Sequence, residues 1–178
     1  MTQLQNFAVI LAAGRGTRMK SDLAKVLHPL LGKTMVGHVV DAAAKAQLQP
    51  VVVVNHQEER VRLALVGQDV RFARQTETRG TGDAVASALS VLPESGTVVV
   101  MAGDAPLVRT ETIVSLCEAH GSSAVTVLTA NVEKPAHYGR LLRSDSGSPA
   151  RIVEAREASA DELAVTEVNT GLYCFDIA

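Results

Sequence analysis

A loop rich in glycine and arginine is the first feature of this sequence whose residue types suggest chemistry. Gly14 and Gly16 follow an apolar run, and Arg15 and Arg18 stand beside them. Glycines allow backbone N–H groups to approach a polyphosphate closely, and guanidinium groups match phosphate oxygens, whereas a simple turn needs no arginines. Met19 stands where a dinucleotide fingerprint needs a third glycine, and the Gly-Lys-Ser/Thr of a P-loop is missing. We therefore expect a phosphate-binding loop of another type.

Two later segments carry polar residues that could act beside such a loop. Gln75 precedes Gly80 and Gly82, and its amide offers both a donor and an acceptor to a base edge. Asp104 follows a buried-type apolar run, and a carboxylate at a strand end beside bound phosphates is suited to Mg²⁺. Taken singly, the first segment also suits a glycine-rich helix start and the second a turn or helix cap.

The apolar pattern predicts the elements that position these loops. Strands are predicted at residues 7–13, 50–55, 70–75, 97–102 and 124–132. The first, second and fourth are almost continuous in Val, Ile, Leu and Ala, which is typical of strands buried on both faces of a parallel sheet. Helices are predicted at residues 34–47, 82–92 and 110–120, with Thr34 as an N-cap and a fainter helical pattern at residues 57–65. This alternation predicts a doubly wound α/β fold whose ligands bind at the carboxyl ends of the strands.

The sequence changes in character after residue 133. Short strand-like pieces at residues 140–143, 151–157 and 171–175 are separated by turn-forming residues. No linker divides the chain, so we expect a single domain. Because few residues follow the last predicted strand, we expect this domain to be incomplete at its C-terminus.

Composition excludes several classes of protein. The 178 residues carry a formal net charge of −2 and no run of like charge, which argues against a nucleic-acid or membrane-surface binder. The apolar runs are too short for a membrane span, and the N-terminus does not read as a signal peptide. Cys117 and Cys174 match no metal or redox spacing, so both are predicted to be reduced thiols of a cytoplasmic protein. The histidines form no zinc-type cluster, and no Gly-x-Ser-x-Gly hydrolase motif occurs.

Several stretches, taken in order, resemble the bacterial sugar-1-phosphate nucleotidyltransferases. The closest likeness is to the uridylyltransferase domain of the bifunctional N-acetylglucosamine-1-phosphate uridylyltransferase/glucosamine-1-phosphate acetyltransferase family. The resemblance rests on LAAGRGTRM at residues 11–19, KVLHPLLGK at 25–33, MVGHVVDAA at 35–43 and the glycine segment at 75–84. Molybdenum-cofactor guanylyltransferases begin with a similar loop but do not usually continue with KVLHPL.

The resemblance implies a Rossmann-like, GT-A-like sheet, mostly parallel, with helices on both faces. It also implies transfer of a uridylyl group from UTP to N-acetylglucosamine 1-phosphate, which gives UDP-N-acetylglucosamine for cell-wall synthesis and pyrophosphate. Arg18 and Lys25 would be catalytic and Asp104 would bind Mg²⁺, while Thr78 stands where the family has a second glutamine. The nucleotide-binding residues would be Leu11, Ala12, Ala13, Gly14, Gln75, Gly80 and Thr81.

The resemblance extends into the last part of the chain. Gly139, Glu154 and Asn169 match family positions that contact the sugar. Residues 1–133 would then be the nucleotide-binding part and residues 134–178 the sugar-binding part. A second metal ligand and a trimerising β-helix of the family lie beyond the last residue. We therefore expect a monomer or weak dimer without acetyltransferase activity, whereas the full-length relatives are trimers.

Two other functions are compatible with the sequence. One is a nucleotide-binding domain that keeps the fold without catalysis. Thr78 and the missing C-terminal part would favour it, whereas Arg18, Lys25 and Asp104 would oppose it. The other is a nucleotidyltransferase for another sugar phosphate or nucleoside triphosphate.

Overall fold

Strands and helices alternate along the chain in the computed structural model, which describes residues 6–16, 19–77 and 79–177. The elements are β1 (Phe7–Leu11), a 3-10 helix (Lys25–Leu27), β2 (Pro29–Leu30), β3 (Lys33–Thr34), α1 (Met35–Lys45), β4 (Gln49–Val54), α2 (Glu58–Ala64), β5 (Arg71–Arg74), α3 (Thr81–Ala88), a 3-10 helix (Leu89–Val91), β6 (Gly96–Ala102), α4 (Thr110–His120), β7 (Val125–Asn131), β8 (Arg140–Arg143), β9 (Pro149–Val153), α5 (Ala160–Leu163) and β10 (Glu167–Ile177).

These elements divide into two units. Unit 1 comprises Met1–Thr126 together with Tyr173–Ala178, and unit 2 comprises Val127–Leu172. Unit 2 is therefore inserted in the sequence of unit 1.

The sheet of unit 1 is mostly parallel, as the sequence predicts. Strand β1 lies between β4 and β6 and pairs in parallel with both. Strand β5 extends the sheet in parallel on the far side of β4. Residues 173–177 of β10 run antiparallel along β6, with Cys174 opposite Val99. The predicted α/β fold is confirmed, with one antiparallel strand beside β6.

Burial of both sheet faces explains the continuous apolar runs. Phe7 and Val9 of β1 pack in one cluster with Ala84 and Ala88 of α3. The intervening residues of β1 point to the opposite face, and Ile10 there is 0% exposed. Helix α1 packs against β1, β4 and α4. A strand covered on both sides has no face left for polar residues.

The predicted helices occur with small changes at their ends. Helix α1 begins after Thr34, whose hydroxyl accepts a hydrogen bond from the N–H of Gly37 at 3.2 Å, so the predicted N-cap is confirmed. The helix predicted at residues 82–92 begins one residue earlier and tightens into a 3-10 turn at Leu89–Val91. Leu92 is extended, with φ −90° and ψ 157°, because the following proline disfavours a helical residue before it.

Unit 2 contains β8, β9, α5 and parts of β7 and β10. Strands β8 and β9 pair antiparallel, and Val168 of β10 lies opposite Arg140 of β8. The strand predicted at residues 151–157 ends at Val153, because the chain then turns and the N–H of Glu157 donates to the carbonyl of Glu154 at 2.8 Å.

An ion pair joins two strands of unit 2. The Arg143 guanidinium donates twice to the Glu167 carboxylate, at 2.8 and 2.7 Å, and the hydroxyl of Thr129 donates to the same carboxylate at 2.8 Å. The hydrogen bonds from Arg143 hold the pKa of Glu167 below its ordinary value.

Both cysteines are free in the structure, and Cys174 is fully buried while Cys117 is half-buried. A hydrogen bond between the two thiols raises the pKa of Cys174 and lowers that of Cys117. None of the helices in the described part of the chain combines the length and the apolar character that a membrane crossing requires.

Replacing the helix cap tests the local structure of unit 1. We expect Thr34→Ala to lower the free energy of unfolding by about 1 kcal/mol, because the N–H of Gly37 loses its acceptor. Urea unfolding followed by circular dichroism measures this change. Thr34→Ser keeps the hydroxyl and serves as the control, and equal destabilisation by both substitutions would contradict the capping role.

Candidate active site

A cavity of about 680 Å³ lies where β1, β5 and β6 end in unit 1. Its lining includes residues predicted as site residues from the sequence: Leu11, Ala13, Gly14, Lys25, Gln75, Gly80, Thr81 and Asp104. The other lining residues are Gly16, Met19, Val26, Ala84 and Ala102. Parallel strands bring their carboxyl ends to one edge, and this is why residues so far apart in sequence surround one space.

Among the predicted nucleotide-binding residues, all of which the structure describes, Ala12 alone is missing from this lining. Ala12 is buried, and its N–H donates to the carbonyl of Val53 at 2.9 Å, so this N–H is already used within the sheet. Arg18 and Thr78 lie outside the described residues, and the catalytic role of Arg18 stays a prediction.

Two residues that line the cavity, Lys25 and Asp104, form an ion pair. The Lys25 ammonium lies 2.6 Å from a carboxylate oxygen of Asp104, and the two side chains are 40% and 33% exposed. Lys25 is the first residue of the 3-10 helix, and Asp104 lies just after the end of β6. The pair places a cation suited to phosphate oxygens beside a carboxylate suited to a metal ion.

The turn that carries Lys25 is held from two sides. The side chain of Gln57, at the start of α2, donates to the carbonyl of Asp22 at 2.5 Å and accepts from the N–H of Ala24 at 3.3 Å. On the other side lies Gly16, with φ +63°, and a Cβ added there would be 2.6 Å from the Cβ of Lys25. The position of the lysine thus depends on a distant glutamine and on the missing side chain of a glycine.

A second glycine brings the end of β6 against the end of β1. The N–H of Gly103 donates to the carbonyl of Leu11 at 2.9 Å. A Cβ on Gly103 would be 2.8 Å from that same oxygen, closer than real Cβ atoms approach. Asp104 is therefore presented by a segment that only glycine can bring so close to β1.

Gln75 follows β5 and is buried, and the nitrogen of its side-chain amide makes two hydrogen bonds. The residue as a whole is 3% exposed. Its Nε2 donates to the Asp83 carboxylate at 2.7 Å and to the carbonyl of Gly80 at 3.3 Å. The backbone carbonyl of Gln75 accepts a hydrogen bond from the side-chain amide of Asn55 at 2.5 Å. The side-chain nitrogen and the backbone carbonyl of Gln75 are thus hydrogen-bonded, as buried polar groups usually are.

The donor set favours a metal ion that is shared with a substrate. Among residues 6–16, 19–77 and 79–177, no three His, Cys, Asp or Glu side chains gather into a metal-ligand cluster. Asp104 offers one carboxylate to the cavity. Mg²⁺ in phosphoryl-transfer sites takes one or two carboxylates and completes its shell with phosphates and water, so this residue fits such an ion.

The predicted sugar-binding residues come together within unit 2. A Cβ built on Gly139 would lie 3.5 Å from the Glu154 carboxylate, and the carbonyl of Gly139 accepts from the N–H of Asn169 at 2.9 Å. The neighbouring Arg140 is 3% exposed, and its guanidinium donates to the carbonyls of Tyr138, Ala136 and Leu163. The segment before Gly139 is thereby fixed, while the role of this cluster in sugar binding stays a prediction.

Sequence reasoning did not find every residue that shapes the cavity. Ala84 and Ala102 could have been found, since one lies a turn beyond Gly80 on α3 and the other ends β6. No local pattern indicated Gln57, whose partners lie 33 and 35 residues away. The contact of Asp83 with Gln75 also needs the rotation of α3, which the sequence does not fix.

Comparison with known proteins gives a consistent picture. Residues 8–166 match the family described as MobA-like NTP transferase domain. The protein named Bifunctional protein GlmU of Bacillus cereus (strain AH187) is 52% identical over 174 residues, which cover 96% of this chain and 38% of that protein. The protein of the same name from Bacillus mycoides (strain KBAB4) is 51% identical over the same shares. This chain therefore spans about two fifths of the length of these curated relatives.

Solved structures show the same fold at low sequence identity. HddC from Yersinia pseudotuberculosis, complexed with GMP-PN, has a TM-score of 0.76 and 22% identity over 97% of this chain and 77% of that one. A UDP-glucose pyrophosphorylase complexed with UDP-glucose has a TM-score of 0.74 and 18% identity over 97% of this chain and 76% of that one. The Rossmann-like, GT-A-like architecture expected from the sequence is confirmed by these similarities.

Two glycines of the loop provide a test of its packing. We expect Gly16→Ala to lower the free energy of unfolding by about 2 kcal/mol, because it strains a left-handed backbone and meets the Cβ of Lys25. Gly14→Ala has open space and no positive φ, so we expect a change below about 0.5 kcal/mol. Urea unfolding of both variants measures the difference, and equal stability would show that the contact with Lys25 is not formed.

Proposed function

We propose that this chain transfers a uridylyl group from UTP to N-acetylglucosamine 1-phosphate. The chain belongs to the MobA-like NTP transferase domain family, and the proposal starts from that membership. The observation that carries this proposal is the cavity in which Gly14, Lys25, Gln75 and Asp104 meet. The sequence identity with proteins named Bifunctional protein GlmU supports the choice of substrates. The products would be UDP-N-acetylglucosamine and pyrophosphate.

The reaction is a substitution at phosphorus that needs no covalent help from the protein. A phosphate oxygen of the sugar phosphate forms a bond to the α-phosphorus of UTP, and the bond from that phosphorus to the bridging oxygen of the leaving pyrophosphate breaks. Positioning and neutralisation of charge supply most of the acceleration in such transfers. In this proposal Lys25 neutralises charge on the departing phosphates, and the backbone at Gly14 allows them to approach closely. Arg18 is proposed for the same task.

We propose that Asp104 holds the Mg²⁺ that accompanies the nucleotide. When bound, this ion would act as a Lewis acid that withdraws charge from phosphate oxygens. In the free protein the Asp104 carboxylate is neutralised by Lys25 at 2.6 Å. Nucleotide phosphates would give the lysine another anionic partner and so release the carboxylate.

Selection of the two substrates is assigned to separate groups. Gln75, Gly80 and Thr81 line the cavity on the side of α3 and are proposed to read the base, while Leu11, Ala12 and Ala13 are proposed to border the nucleotide. Gly139, Glu154 and Asn169 of unit 2 are proposed to read the sugar.

Free thiols and a nucleoside triphosphate substrate favour a cytoplasmic location. The monomer or weak dimer expected from the sequence stays a prediction.

The first test measures pyrophosphate release with Mg²⁺, UTP and N-acetylglucosamine 1-phosphate, each omitted in turn. We expect release that requires all three components. Binding of UTP without release, both by this chain and by a chain extended to include the family's second metal ligand, would contradict the transferase and favour a domain that only binds nucleotides. Release with another sugar phosphate or nucleoside triphosphate, and not with these, would overturn the proposed substrates.

A substitution of Lys25 tests its catalytic role. We expect Lys25→Met to lower pyrophosphate release by at least about 100-fold, because the charge that offsets the leaving phosphates is lost. The free energy of unfolding should change by less than about 1 kcal/mol, since the ion pair with Asp104 is partly exposed. Lys45→Met, at the exposed end of α1, is the matched control. If Lys25→Met reduced stability as severely as activity, the lysine would be structural.

A further inference from the structure

We propose that Asp83 is a positioning residue that determines base specificity, because it fixes the amide of Gln75 so that only an acceptor faces the nucleobase. This inference rests on the proposed function of the cavity and assigns part of its selectivity to a residue that is not among the predicted site residues. Asp83 lies in the first turn of α3, after the glycine segment.

The surroundings of the Gln75 amide allow a single orientation. The Asp83 carboxylate lies 2.7 Å from its Nε2, and the carbonyl of Gly80 lies 3.3 Å away. Both partners can only accept hydrogen bonds. Turning the amide by half a rotation would place its oxygen against two other oxygens in a buried position, which leaves acceptors facing acceptors. The shorter contact and the charge make Asp83 the stronger of the two constraints.

This orientation determines what Gln75 offers to a ligand. The amide nitrogen has two hydrogens, and its two contacts, with Asp83 and with Gly80, use both. The carbonyl oxygen Oε1 remains as the polar group that Gln75, a lining residue, can present to the cavity. An acceptor at this position suits a base with a ring N–H, such as uracil at N3. Cytosine has a ring nitrogen with a lone pair at that position, so two acceptors would face each other.

The backbone around Gln75 is held independently of Asp83. The N–H of Gln75 donates to the carbonyl of Val54 at 2.9 Å, and its carbonyl accepts from Asn55 at 2.5 Å. Loss of the Asp83 carboxylate therefore releases the side-chain amide and leaves the end of β5 in place. The amide could then turn, and Gln75 could donate to cytosine as readily as it accepts from uracil.

The test compares binding of UTP and CTP in the presence of Mg²⁺ by isothermal titration calorimetry, with the full chain and its variants. We expect the unsubstituted chain to bind UTP at least about 10-fold more tightly than CTP. In Asp83→Asn, whose amide can donate or accept, and in Asp83→Ala, the preference should fall to about threefold or less. A general loosening of the site would weaken both nucleotides together and leave their ratio unchanged.

The control variant and a modified ligand sharpen the result. Ser87→Ala, one turn further along α3, removes a hydroxyl that donates to the backbone carbonyl of Asp83 and should keep the full preference. UTP methylated at N3 lacks the ring N–H and should bind the unsubstituted chain about 10-fold more weakly than UTP. Unfolding curves for each variant confirm that the fold is retained, and Asp83→Asn serves if Asp83→Ala does not fold.

The outcomes separate this inference from the proposed function. Preference for UTP that survives in both Asp83 variants would overturn the role of Asp83 and leave the function standing. Equal binding of UTP and CTP by the unsubstituted chain would likewise overturn the inference, while the cavity would remain a nucleotide site. Absence of nucleotide binding would overturn the proposed function and the inference with it.

Discussion

Burial of both faces of the central strands is the constraint on which the site depends. Along β1 and residues 50–54 of β4 every position on both faces is apolar, because helices cover the sheet on both sides. Burying a polar side chain within these strands without a hydrogen-bond partner would lower the free energy of unfolding by several kcal/mol. Polar groups are therefore confined to the segments that follow the strands. Since β1, β4, β5 and β6 are parallel, these segments lie at one edge of the sheet, where the polar residues of the cavity lining are found.

The positions of Lys25 and Asp104 at this edge are determined by close approach of backbone segments. Gly16 allows the first loop to touch the turn of Lys25, and Gly103 allows the loop of Asp104 to touch the end of β1. Gln57 fastens the same lysine turn from α2. The charged pair is thus carried by short segments whose geometry is set by contacts with neutral groups, and it needs no long side-chain network of its own.

The sequence was sufficient to predict the strands, the helix cap at Thr34 and most of the cavity lining, because apolar periodicity and loop composition are local properties. It was insufficient where a contact joins distant segments. The clamp of Gln57 on residues 22–24 depends on how α2 packs, and the bond from Gln75 to Asp83 depends on the rotation of α3 after Gly80. The premature end of the strand predicted at residues 151–157 reflects a turn that apolar pattern alone does not reveal.

Unit 1 includes a strand segment that follows the whole of unit 2 in sequence, since residues 173–177 pair with β6. During translation the ribosome releases β6 well before this partner, so one edge of β6 stays open while unit 2 is still being made. An open edge on an apolar strand attracts other strands, and closing a long loop is slow. Unit 1 therefore gains this strand only after the residues of unit 2 have been synthesised. A substitution that delays the folding of unit 2 would prolong the time during which β6 is exposed to aggregation.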